Sequence, residues 1–419
     1  MDILVIGSGG REHAICYALK KSPRVNHLYC LPGNAGISEI ATCVPINVMD
    51  FDKIREFVRG HKNIDMVMVA PDDPLAGGLV DVLEKDGVRV FGPRANAAII
   101  EGSKAFSKWL MKKYNIPTAN YAEFTNYEEA VKYVESAEYP LVVKADGLAL
   151  GKGVVICENK EEACDALREM MVEGKFKAAG NRVIVEEFLV GREVSILAFT
   201  DGKTIVPMVS SQDHKRAFDN DEGLNTGGMG TFSPSKIYTP DIAKYTYDNI
   251  IIPTVNAMNA EGRTFKGVLY FGLMLTDKGV KVLEYNARFG DPETQVVLPR
   301  LKTDLVDIFD AVIDERLDDI DIEWNDNACV CVILASGGYP VSYKKGYPIT
   351  IGDIDNDVML FHAGTAKGGN GGYVTNGGRV LGVTCLGKDI EDARAKAYRN
   401  IDKIDFKDKH YRKDIGIKI

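Results

Sequence analysis

The sequence predicts a multidomain protein that combines an α/β domain with α+β domains. Its 419 residues correspond to roughly three domains at about 150 residues each. Short apolar runs alternate with helical patterns over residues 1–100, whereas longer strands joined by turns dominate residues 193–300. The first pattern indicates βαβ units and a doubly wound parallel sheet, and the second indicates antiparallel hairpins.

The composition excludes several classes of protein. A net charge of −9, from 51 basic and 60 acidic residues, provides no general basic surface for nucleic acid or membranes. No apolar run approaches the roughly 20 residues of a membrane helix, and the N-terminus lacks the basic start of a signal peptide. The eight cysteines lack the spacing of a disulfide framework or a zinc site. We therefore expect a cytoplasmic protein that holds any phosphate at a local site.

The N-terminal elements follow from the alternation of strands and helices. Ile3–Ile6 is a buried strand that runs into Gly7–Gly10, after which we expect a helix over Arg11–Lys20. Further strands are expected at His27–Cys30, Met66–Ala70 and Val88–Phe91, with helices around residues 51–60 and 75–85.

The remaining elements are predicted from apolar runs and turn residues. A helix over about Ser103–Tyr114 ends before Ile116-Pro117, as the restriction on the residue before proline requires. The other predicted elements are strands at Leu141–Lys144, Val154–Cys157 and Arg182–Val185, a helix at 161–172, a hairpin of Gly267–Leu275 and Val280–Tyr285, strands at Ala328–Ala335 and Arg379–Leu386, and a helix near 389–402.

The first candidate site is the glycine-rich turn after the first strand, Gly7–His13. Backbone amides at a helix N-terminus there can bind a phosphate. A dinucleotide fingerprint would need a third glycine where this chain has Glu12, and no acidic residue closes the second strand, so an NAD site is disfavoured. Phosphate or small-substrate binding and a simple tight turn both remain open.

The second candidate is the glycine-rich segment 146–153. It differs from a P-loop because only three residues separate Gly147 from Gly151, Gly153 replaces the hydroxyl residue, and a strand follows. A glycine loop between two strands can still fold over the phosphates of a nucleotide, with Lys144 placed to meet an oxygen. The alternative is an ordinary flexible hairpin.

The most informative stretch is 283–295. Glu284 and Asn286 point to one face of a strand because side chains alternate, and two hard oxygen ligands there suit Mg²⁺ beside nucleotide phosphates. Arg288 can clamp a phosphate or a carboxylate from the same side. The alternative is a set of polar residues that closes a hairpin.

Three further segments are weaker alone. Residues 185–193 can offer backbone groups and apolar contacts to an adenine, with a carboxylate for the ribose. Residues 212–216 mix an acid with cations, and the glycine run 225–230 exposes amides that can line an anionic substrate. Solvated strand ends and surface loops are the alternative interpretations.

Taken together, the order of these motifs resembles the ATP-grasp ligases and, more narrowly, the phosphoribosylamine–glycine ligase family of purine biosynthesis. The resemblance covers essentially the whole chain and is carried by Gly7–His13, Pro32–Asn34, Gly102–Lys104, Asp213–Arg216, Thr226–Gly230 and the octapeptide Arg288–Gln295. It implies an N-terminal domain over 1–102, an ATP-grasp core over 103–326 with a lid at about 117–190, and a small C-terminal α+β domain over 327–419.

The resemblance also implies a reaction and a set of roles. ATP, glycine and 5-phosphoribosylamine would give ADP, phosphate and glycinamide ribonucleotide through a glycyl phosphate, in a monomer. The residues implied to bind ATP are Lys104, Lys144, Gly147, Gly151, Lys152, Gly153, Glu186, Glu187, Leu189 and Glu193. Those implied to bind substrates are Gly9, Gly10, Arg11, Glu12, Asn34, Thr226, Gly227, Gly228, Met229 and Glu293. Arg288, Asp213 and Lys215 would be catalytic, and Glu284 and Asn286 would bind Mg²⁺ or Mn²⁺.

Two alternatives stay open at this point. Another ATP-grasp carboxylate–amine ligase would share the nucleotide residues and differ only in the substrate motifs. A nucleotide-binding sensor without turnover is the second, although Glu284, Asn286 and Arg288 argue against it because a sensor has no need of metal ligands.

Overall fold

The first five strands form one parallel sheet. The computed structural model describes residues 1–147, 153–175, 177–369 and 371–417. The N-terminal elements are β1 (Asp2–Gly7), α1 (Gly10–Lys20), β2 (His27–Pro32), β3 (Thr42–Cys43), α2 (Phe51–Gly60), β4 (Ile64–Val69), α3 (Asp72–Ala76), α4 (Leu79–Lys85), β5 (Val90–Phe91) and α5 (Ala95–Gly102). The strand order is β3-β2-β1-β4-β5 and every pairing is parallel, which confirms the doubly wound sheet.

The helix predicted around residues 75–85 is instead two helices. Gly77 and Gly78 separate α3 from α4, and Gly78 has a φ of +87°. That left-handed conformation is accessible to glycine at little cost and turns the chain out of the helical path. The prediction of one helix was therefore wrong, because the pair of glycines overrides the apolar pattern.

The next region forms a small antiparallel sheet with its own core. Its elements are α6 (Lys104–Lys113), β6 (Tyr121–Phe124), α7 (Tyr127–Val134), β7 (Leu141–Ala145), β8 (Val154–Cys157), α8 (Lys160–Met171) and β9 (Val183–Glu187). The sheet order is β6-β9-β7-β8. Side chains of α7 and α8, including Ala130 and Leu167, pack with Leu141 and Val143 of the sheet. This sheet lies within the segment 117–190 that we expected to form a lid.

A second antiparallel sheet carries most of the candidate site. The elements of this region are β10 (Arg192–Thr200), β11 (Ile205–Pro207), β12 (Gln212–Asp213), β13 (Arg216–Phe218), β14 (Glu222–Asn225), β15 (Gly230–Ser233), α9 (Pro240–Thr246), α10 (Ile252–Ala260), β16 (Gly267–Thr276), β17 (Gly279–Asn286), α11 (Thr294–Val297) and α12 (Leu305–Ile313). The order is β11-β10-β16-β17, and β16 and β17 form the predicted hairpin. Phe271 and Val282 of this sheet share a core with Leu4 and Val67, so the sheet is packed firmly on the N-terminal domain.

The C-terminal elements extend a sheet that begins in the preceding region. They are β18 (Ala328–Ala335), β19 (Pro348–Ile351), β20 (Val358–His362), β21 (Thr365–Lys367), β22 (Tyr373–Thr375), β23 (Arg379–Gly387), α13 (Ile390–Ile401) and β24 (Ile404–Asp405). One sheet has the order β12-β15-β18-β23-β20, and a second has the order β21-β22-β19-β24. A continuous sheet thus joins strands from both sides of the expected domain boundary between residues 326 and 327. The boundary itself stays a prediction.

Two predictions from composition can be compared with the structure. All eight cysteines lie in the described residues and are free, and Cys329 and Cys331 alternate on β18 with both side chains buried. Within the described residues, no helix has both the length and the apolar character needed to cross a membrane.

We expect Ser103→Ala to destabilise the start of α6, where Lys104 lies. Ser103 Oγ accepts a hydrogen bond from the Phe106 amide at 3.1 Å and donates to Asp146 Oδ1 at 3.1 Å. Loss of such a cap costs about 1 kcal/mol. Urea unfolding followed by circular dichroism measures the change. Ser136→Ala, at an exposed position after α7, is the matched control, and an equal effect in both variants would contradict the capping role.

Candidate active site

Two lysines share one buried carboxylate beside the β6-β9-β7-β8 sheet. Lys144 Nζ lies 2.9 Å from Glu186 Oε2, and Lys108 Nζ lies 3.1 Å from the same oxygen. Lys144 and Glu186 lie near the ends of the paired strands β7 and β9, while Lys108 comes from α6. Lys144 and Glu186 were predicted from the sequence and Lys108 was not. The three groups carry a net positive charge that suits a phosphate.

Burial and ion pairing shift the pKa values of Glu186 and Lys108 in opposite directions. Burial alone would raise the pKa of Glu186, but the two lysines outweigh it and hold that pKa below its usual range. Burial lowers the pKa of Lys108 to about 8, although Glu186 opposes the shift. Burial also lowers the pKa of Lys104, which follows Ser103 in α6. An additional negative charge would therefore stabilise the charged forms of Lys104 and Lys108.

The glycine loop begins beside Lys104. Lys104 Nζ donates to the carbonyl of Gly147 at 2.8 Å, and the Ala145 amide donates to the carbonyl of Gly153 at 2.8 Å. The two ends of the loop are thus close to the lysine cluster. The predicted residues Gly151 and Lys152 lie outside the described residues.

The residues predicted to hold adenosine lie at the end of β9 and just beyond it. Glu187 is partly exposed and accepts hydrogen bonds from Lys281 at 2.6 Å and from the Asn120 amide at 3.1 Å. Leu189 is 9% exposed and packs with Met274 in a small apolar cluster. Glu193, near the start of β10, is exposed. An apolar surface beside carboxylates is compatible with a nucleoside.

Glu284 and Asn286 lie on the same face of β17, as their spacing predicted, with buried Tyr285 between them on the other face. A bulge interrupts the pairing of β16 and β17 just before Glu284, because Gly272 pairs with Glu284 but Leu273 pairs with Val282. The bulge shifts the alternation by one residue, so Glu284 leaves the face that Val282 occupies. The simple alternation of side chains along the strand did not predict this bulge.

Arg288 is held by Glu101, a residue that sequence reasoning missed. Arg288 Nη2 lies 2.8 Å from Glu101 Oε1, and Glu101 also accepts from the Ala287 amide at 2.7 Å. Asn286, with its side-chain amide oriented to match its neighbours, donates to Glu101 Oε1 at 2.9 Å. This is the oxygen that also pairs with Arg288. Burial opposes the charge of Arg288, but Glu101 outweighs it and raises the pKa of Arg288. One carboxylate therefore orients a predicted metal ligand and a predicted catalytic cation.

Asp213, Lys215 and Glu293 form a second charged cluster. Lys215 Nζ lies 2.7 Å from Asp213 Oδ2 and 3.9 Å from Glu293 Oε1. Glu293 is also bonded by the hydroxyls of Ser195 at 3.2 Å and Tyr270 at 3.1 Å. Burial raises the pKa of Asp213 to about 7, against the effect of Lys215 and with that of Glu293. A carboxyl group so placed can take up or release a proton near neutral pH.

The glycine run lies directly against this cluster. Thr226 Oγ1 donates to the Lys215 carbonyl and accepts from the Gly228 amide, at 2.8 and 2.9 Å. Gly228 has a φ of +111°, and a Cβ there would lie 2.7 Å from Asp213 Oδ1. Gly227 is bonded to Arg379 from the C-terminal region, and Met229 is fully buried.

The N-terminal glycine turn meets the octapeptide segment. A Cβ at Gly10 would lie 2.7 Å from Gln295 Nε2, and one at Gly9 would lie 3.4 Å from Asp291 Oδ2. Arg11 donates to Glu12 Oε1 at 2.6 Å and to the Phe289 carbonyl at 3.1 Å, while Glu12 Oε2 accepts from the Gly9 amide. The buried side chains of Arg11 and Glu12 therefore brace the turn, and their role as direct ligands stays a prediction.

Asn34 also braces this turn. Its amide nitrogen donates to the carbonyls of Ser8 and His362, both at 2.8 Å. Its oxygen accepts from the amides of Gly36 and Ile37, both at 2.9 Å. These four bonds use the full hydrogen-bonding capacity of the side chain. Its predicted contact with substrate stays untested.

Three residues at the site were missed by sequence reasoning: Glu101, Lys108 and Arg379. Lys108 follows Lys104 by four residues on one helix, a spacing that places both on the same face and was available in the sequence. Glu101 directly precedes the Gly102–Lys104 motif in the sequence. No pattern in the sequence around Arg379 indicates its role, because its partners Gly227 and Asp291 are 152 and 88 residues away in the chain.

The domains of one known family match nearly the whole chain in order. Residues 1–101 match the N domain of phosphoribosylglycinamide synthetase, residues 102–294 match its ATP-grasp (A) domain, and residues 329–418 match its C domain. The chain belongs to the phosphoribosylglycinamide synthetase family. The predictions of a three-part ATP-grasp fold and of a ligase are thereby confirmed, and the family implies an ATP site that uses a divalent metal.

Relatives in this family are similar over their full lengths. The phosphoribosylamine–glycine ligase of Halalkalibacterium halodurans is 49% identical, covering 100% of this chain and 97% of the relative. That of Caldanaerobacter subterraneus is 48% identical, covering 99% of both chains.

Solved structures agree with the family assignment. The crystal structure of phosphoribosylamine–glycine ligase from Thermotoga maritima is 35% identical, has a TM-score of 0.85 and covers 99% of this chain and 100% of that one. The biotin carboxylase domain of a 2-oxoglutarate carboxylase from Hydrogenobacter thermophilus, solved with MgADP, has a TM-score of 0.75 over 98% of this chain and 91% of that one. At 16% identity the latter shows a shared fold alone.

We expect His13→Asn to reduce the acid sensitivity of this family member. His13 Nδ1 accepts from the His362 amide at 2.8 Å, and burial followed by His362 lowers the pKa of His13 to about 3. Below about pH 6.5 the unfolded chain therefore binds a proton that the folded chain excludes, so stability falls with falling pH. Asparagine keeps an acceptor but does not titrate.

The expected difference is about 2 kcal/mol between pH 7 and pH 5. Wild type should lose that much more unfolding free energy than His13→Asn, measured by urea titration at each pH. His27→Asn, at a half-buried position, is the control for the substitution itself. Parallel pH profiles for wild type and His13→Asn would contradict a buried neutral histidine.

Proposed function

We propose that the chain catalyses the ATP-dependent ligation of glycine to 5-phosphoribosylamine. The products would be glycinamide ribonucleotide, ADP and phosphate, in a step of purine biosynthesis. The names of relatives that match over their full lengths support this substrate pair. The arrangement of three charged clusters around β16 and β17 supports the same chemistry.

The observation that carries the proposal is a concentration of buried polar atoms without hydrogen-bond partners. Among the described residues, seven buried side-chain atoms make no hydrogen bond, and three of them are Glu186 Oε1, Arg288 Nε and Gln295 Oε1. Leaving a buried polar group unpaired costs about 1–3 kcal/mol. Groups kept in that condition around one site are typical of groups that bind a ligand.

The phosphoryl-transfer half of the reaction needs positioning and charge neutralisation more than a protein nucleophile. Lys104 and Lys144 would contact the phosphates of ATP, with Lys108 adding a third positive charge nearby. The glycine loop 147–153 would close over the phosphates. The residues that would hold adenosine are Glu186, Glu187, Leu189 and Glu193.

A divalent cation fits beside β17. Glu284 offers an exposed carboxylate and Asn286 an amide oxygen on the same strand face, and both are hard donors of the kind Mg²⁺ or Mn²⁺ prefers. No group of three acidic, histidine or cysteine side chains in the described residues could hold a metal alone, so phosphate oxygens would complete the shell. When bound, the cation would neutralise charge on the transferred phosphoryl group.

The acceptor half would take place between Arg288 and the glycine run. The glycine carboxylate attacks the γ-phosphorus of ATP, ADP leaves, and a glycyl phosphate forms. The amine of phosphoribosylamine then attacks the acyl carbon, a C–N bond forms, and phosphate leaves with loss of one proton from nitrogen. Arg288 and Lys215 would stabilise the negative oxygens, and Asp213 would accept the proton. The segment Thr226–Met229, with Glu293, would line the substrate pocket, and its four backbone amides donate to groups of the protein itself.

The N-terminal turn would bind the phosphate of phosphoribosylamine. Gly9 and Gly10 lie at the N-terminus of α1 and close to Asp291 and Gln295, so a phosphate there would lie next to the octapeptide. Arg11, Glu12 and Asn34 would set the shape of the turn. We also propose that the chain works as a cytoplasmic monomer without nucleic-acid or membrane partners.

The substrate assignment predicts that ADP release requires ATP, a divalent cation, glycine and phosphoribosylamine together. Each component is omitted in turn from a coupled ADP assay, with phosphoribosylamine generated in the reaction mixture. Omission of any one should reduce the rate to background. An equal rate without the amine, or with alanine in place of glycine, would refute the proposed substrates.

The metal assignment predicts that Glu284→Gln lowers kcat by about a hundredfold or more, because a lost ligand removes several kcal/mol of charge stabilisation. Thermal unfolding should be unchanged, since Glu284 is exposed. Asp277→Asn, at the exposed turn of the same hairpin, is the matched control and should keep wild-type activity. Near-normal turnover by Glu284→Gln at all Mg²⁺ concentrations would rule out this metal site.

A further inference from the structure

Arg379, in the C-terminal region, reaches two segments of the site at once. Its Nη1 donates to the carbonyl of Gly227 at 2.6 Å and to that of Asp291 at 2.9 Å. Its Nη2 lies 3.1 Å from Asp291 Oδ2. The side chain is only 19% exposed. One guanidinium therefore ties the glycine run to the octapeptide.

Tyr339 completes the contact with the glycine run. Its Oη accepts from the amide of Gly227 at 3.0 Å, so the C-terminal region binds both backbone groups of that one glycine. A Cβ at Gly378, next to Arg379, would lie 2.2 Å from the Tyr339 ring. The missing side chain at Gly378 thus permits Tyr339 and Arg379 to approach Gly227 together.

The opposite side of the glycine run rests on a proposed catalytic carboxylate. A Cβ at Gly228 would lie 2.7 Å from Asp213 Oδ1 and 2.4 Å from Pro292 Cδ. The backbone at Gly228 is therefore in close contact with both groups. A displacement of Gly227 by a fraction of an ångström would move Gly228 relative to Asp213.

We propose that Arg379 is a positioning residue through which the C-terminal domain fixes the acceptor pocket for phosphoribosylamine. The inference rests on the proposed function. Arg379 sets the distance between the glycine run and the octapeptide, and with it the place where the amine meets the acyl carbon. It gives the C-terminal domain a role in the acceptor half of the reaction.

The geometry separates this role from ATP binding. The lysine cluster is built from Lys104, Lys108, Lys144 and Glu186, and the hydrogen bonds and ion pair of Arg379 described above go to none of these residues. A change at Arg379 should therefore weaken the binding of phosphoribosylamine and leave the binding of ATP nearly unchanged. Lysine cannot replace arginine here, because a point charge cannot bridge two carbonyls and a carboxylate as the planar fork does.

The test compares steady-state constants for wild type, Arg379→Lys, Tyr339→Phe and the control Arg399→Gln. Arg399 is exposed on α13 of the same region and pairs with Asp355, which belongs to neither the glycine run nor the octapeptide. We expect Arg379→Lys to raise KM for phosphoribosylamine about tenfold, the effect of losing hydrogen bonds to a charged donor. Tyr339→Phe should raise it about threefold. KM for ATP should stay within about twofold in all variants.

The outcomes are distinguishable. A selective rise in KM for phosphoribosylamine supports the positioning role, and unchanged constants in both Arg379→Lys and Tyr339→Phe overturn it. A parallel loss for all three substrates with a lowered melting temperature also overturns it, because that result marks a structural contact only. If Arg379→Lys does not fold, Tyr339→Phe decides the question alone. Wild-type enzyme without amine-dependent ADP release would refute the proposed function, and this inference with it.

Discussion

The site depends on buried and partly buried charges in one short segment that are neutralised by partners from elsewhere in the chain. Arg288 pairs with Glu101 of the N-terminal region, Glu293 faces Lys215, and Asp291 pairs with Arg379 of the C-terminal region. A buried charge without a partner would cost several kcal/mol, so the segment reaches this conformation only when all three regions are in place. Assembly of the fold and assembly of the site are thus one event.

These pairs specify geometry more than they add stability. The desolvation of two buried charges offsets most of their attraction, so an apolar pair of similar volume would often stabilise a fold as well. An apolar pair, however, would not leave Arg288 Nε as a buried polar atom without a hydrogen-bond partner. The large apolar core, in which Phe289 packs near Phe91 and Phe309, supplies the stability that this arrangement costs.

Sequence patterns predicted whatever depends on neighbours in the chain. The alternation of Glu284 and Asn286, the parallel N-terminal sheet and the hairpin of β16 and β17 are local consequences of side-chain period and turn chemistry. The bulge before Glu284 was not predicted, because it depends on how β16 pairs with β17. Arg379 was not predicted either, since an arginine at the start of a strand is normally solvated and only the tertiary fold brings it to Gly227.

The overall acidity of the chain is compatible with phosphorylated substrates because the site controls charge locally. Around Glu186, two lysines face one carboxylate, so the cluster is positive within a protein whose net charge is −9. Around Lys215, two carboxylates face one cation, so the acceptor side is able to take up a proton. Strand β17 contacts α6, which carries Lys108, and Tyr270 of β16 bonds to Glu293. A phosphoryl donor is therefore favoured at one end of the site and an amine at the other, and the sign of the whole surface has little influence on either.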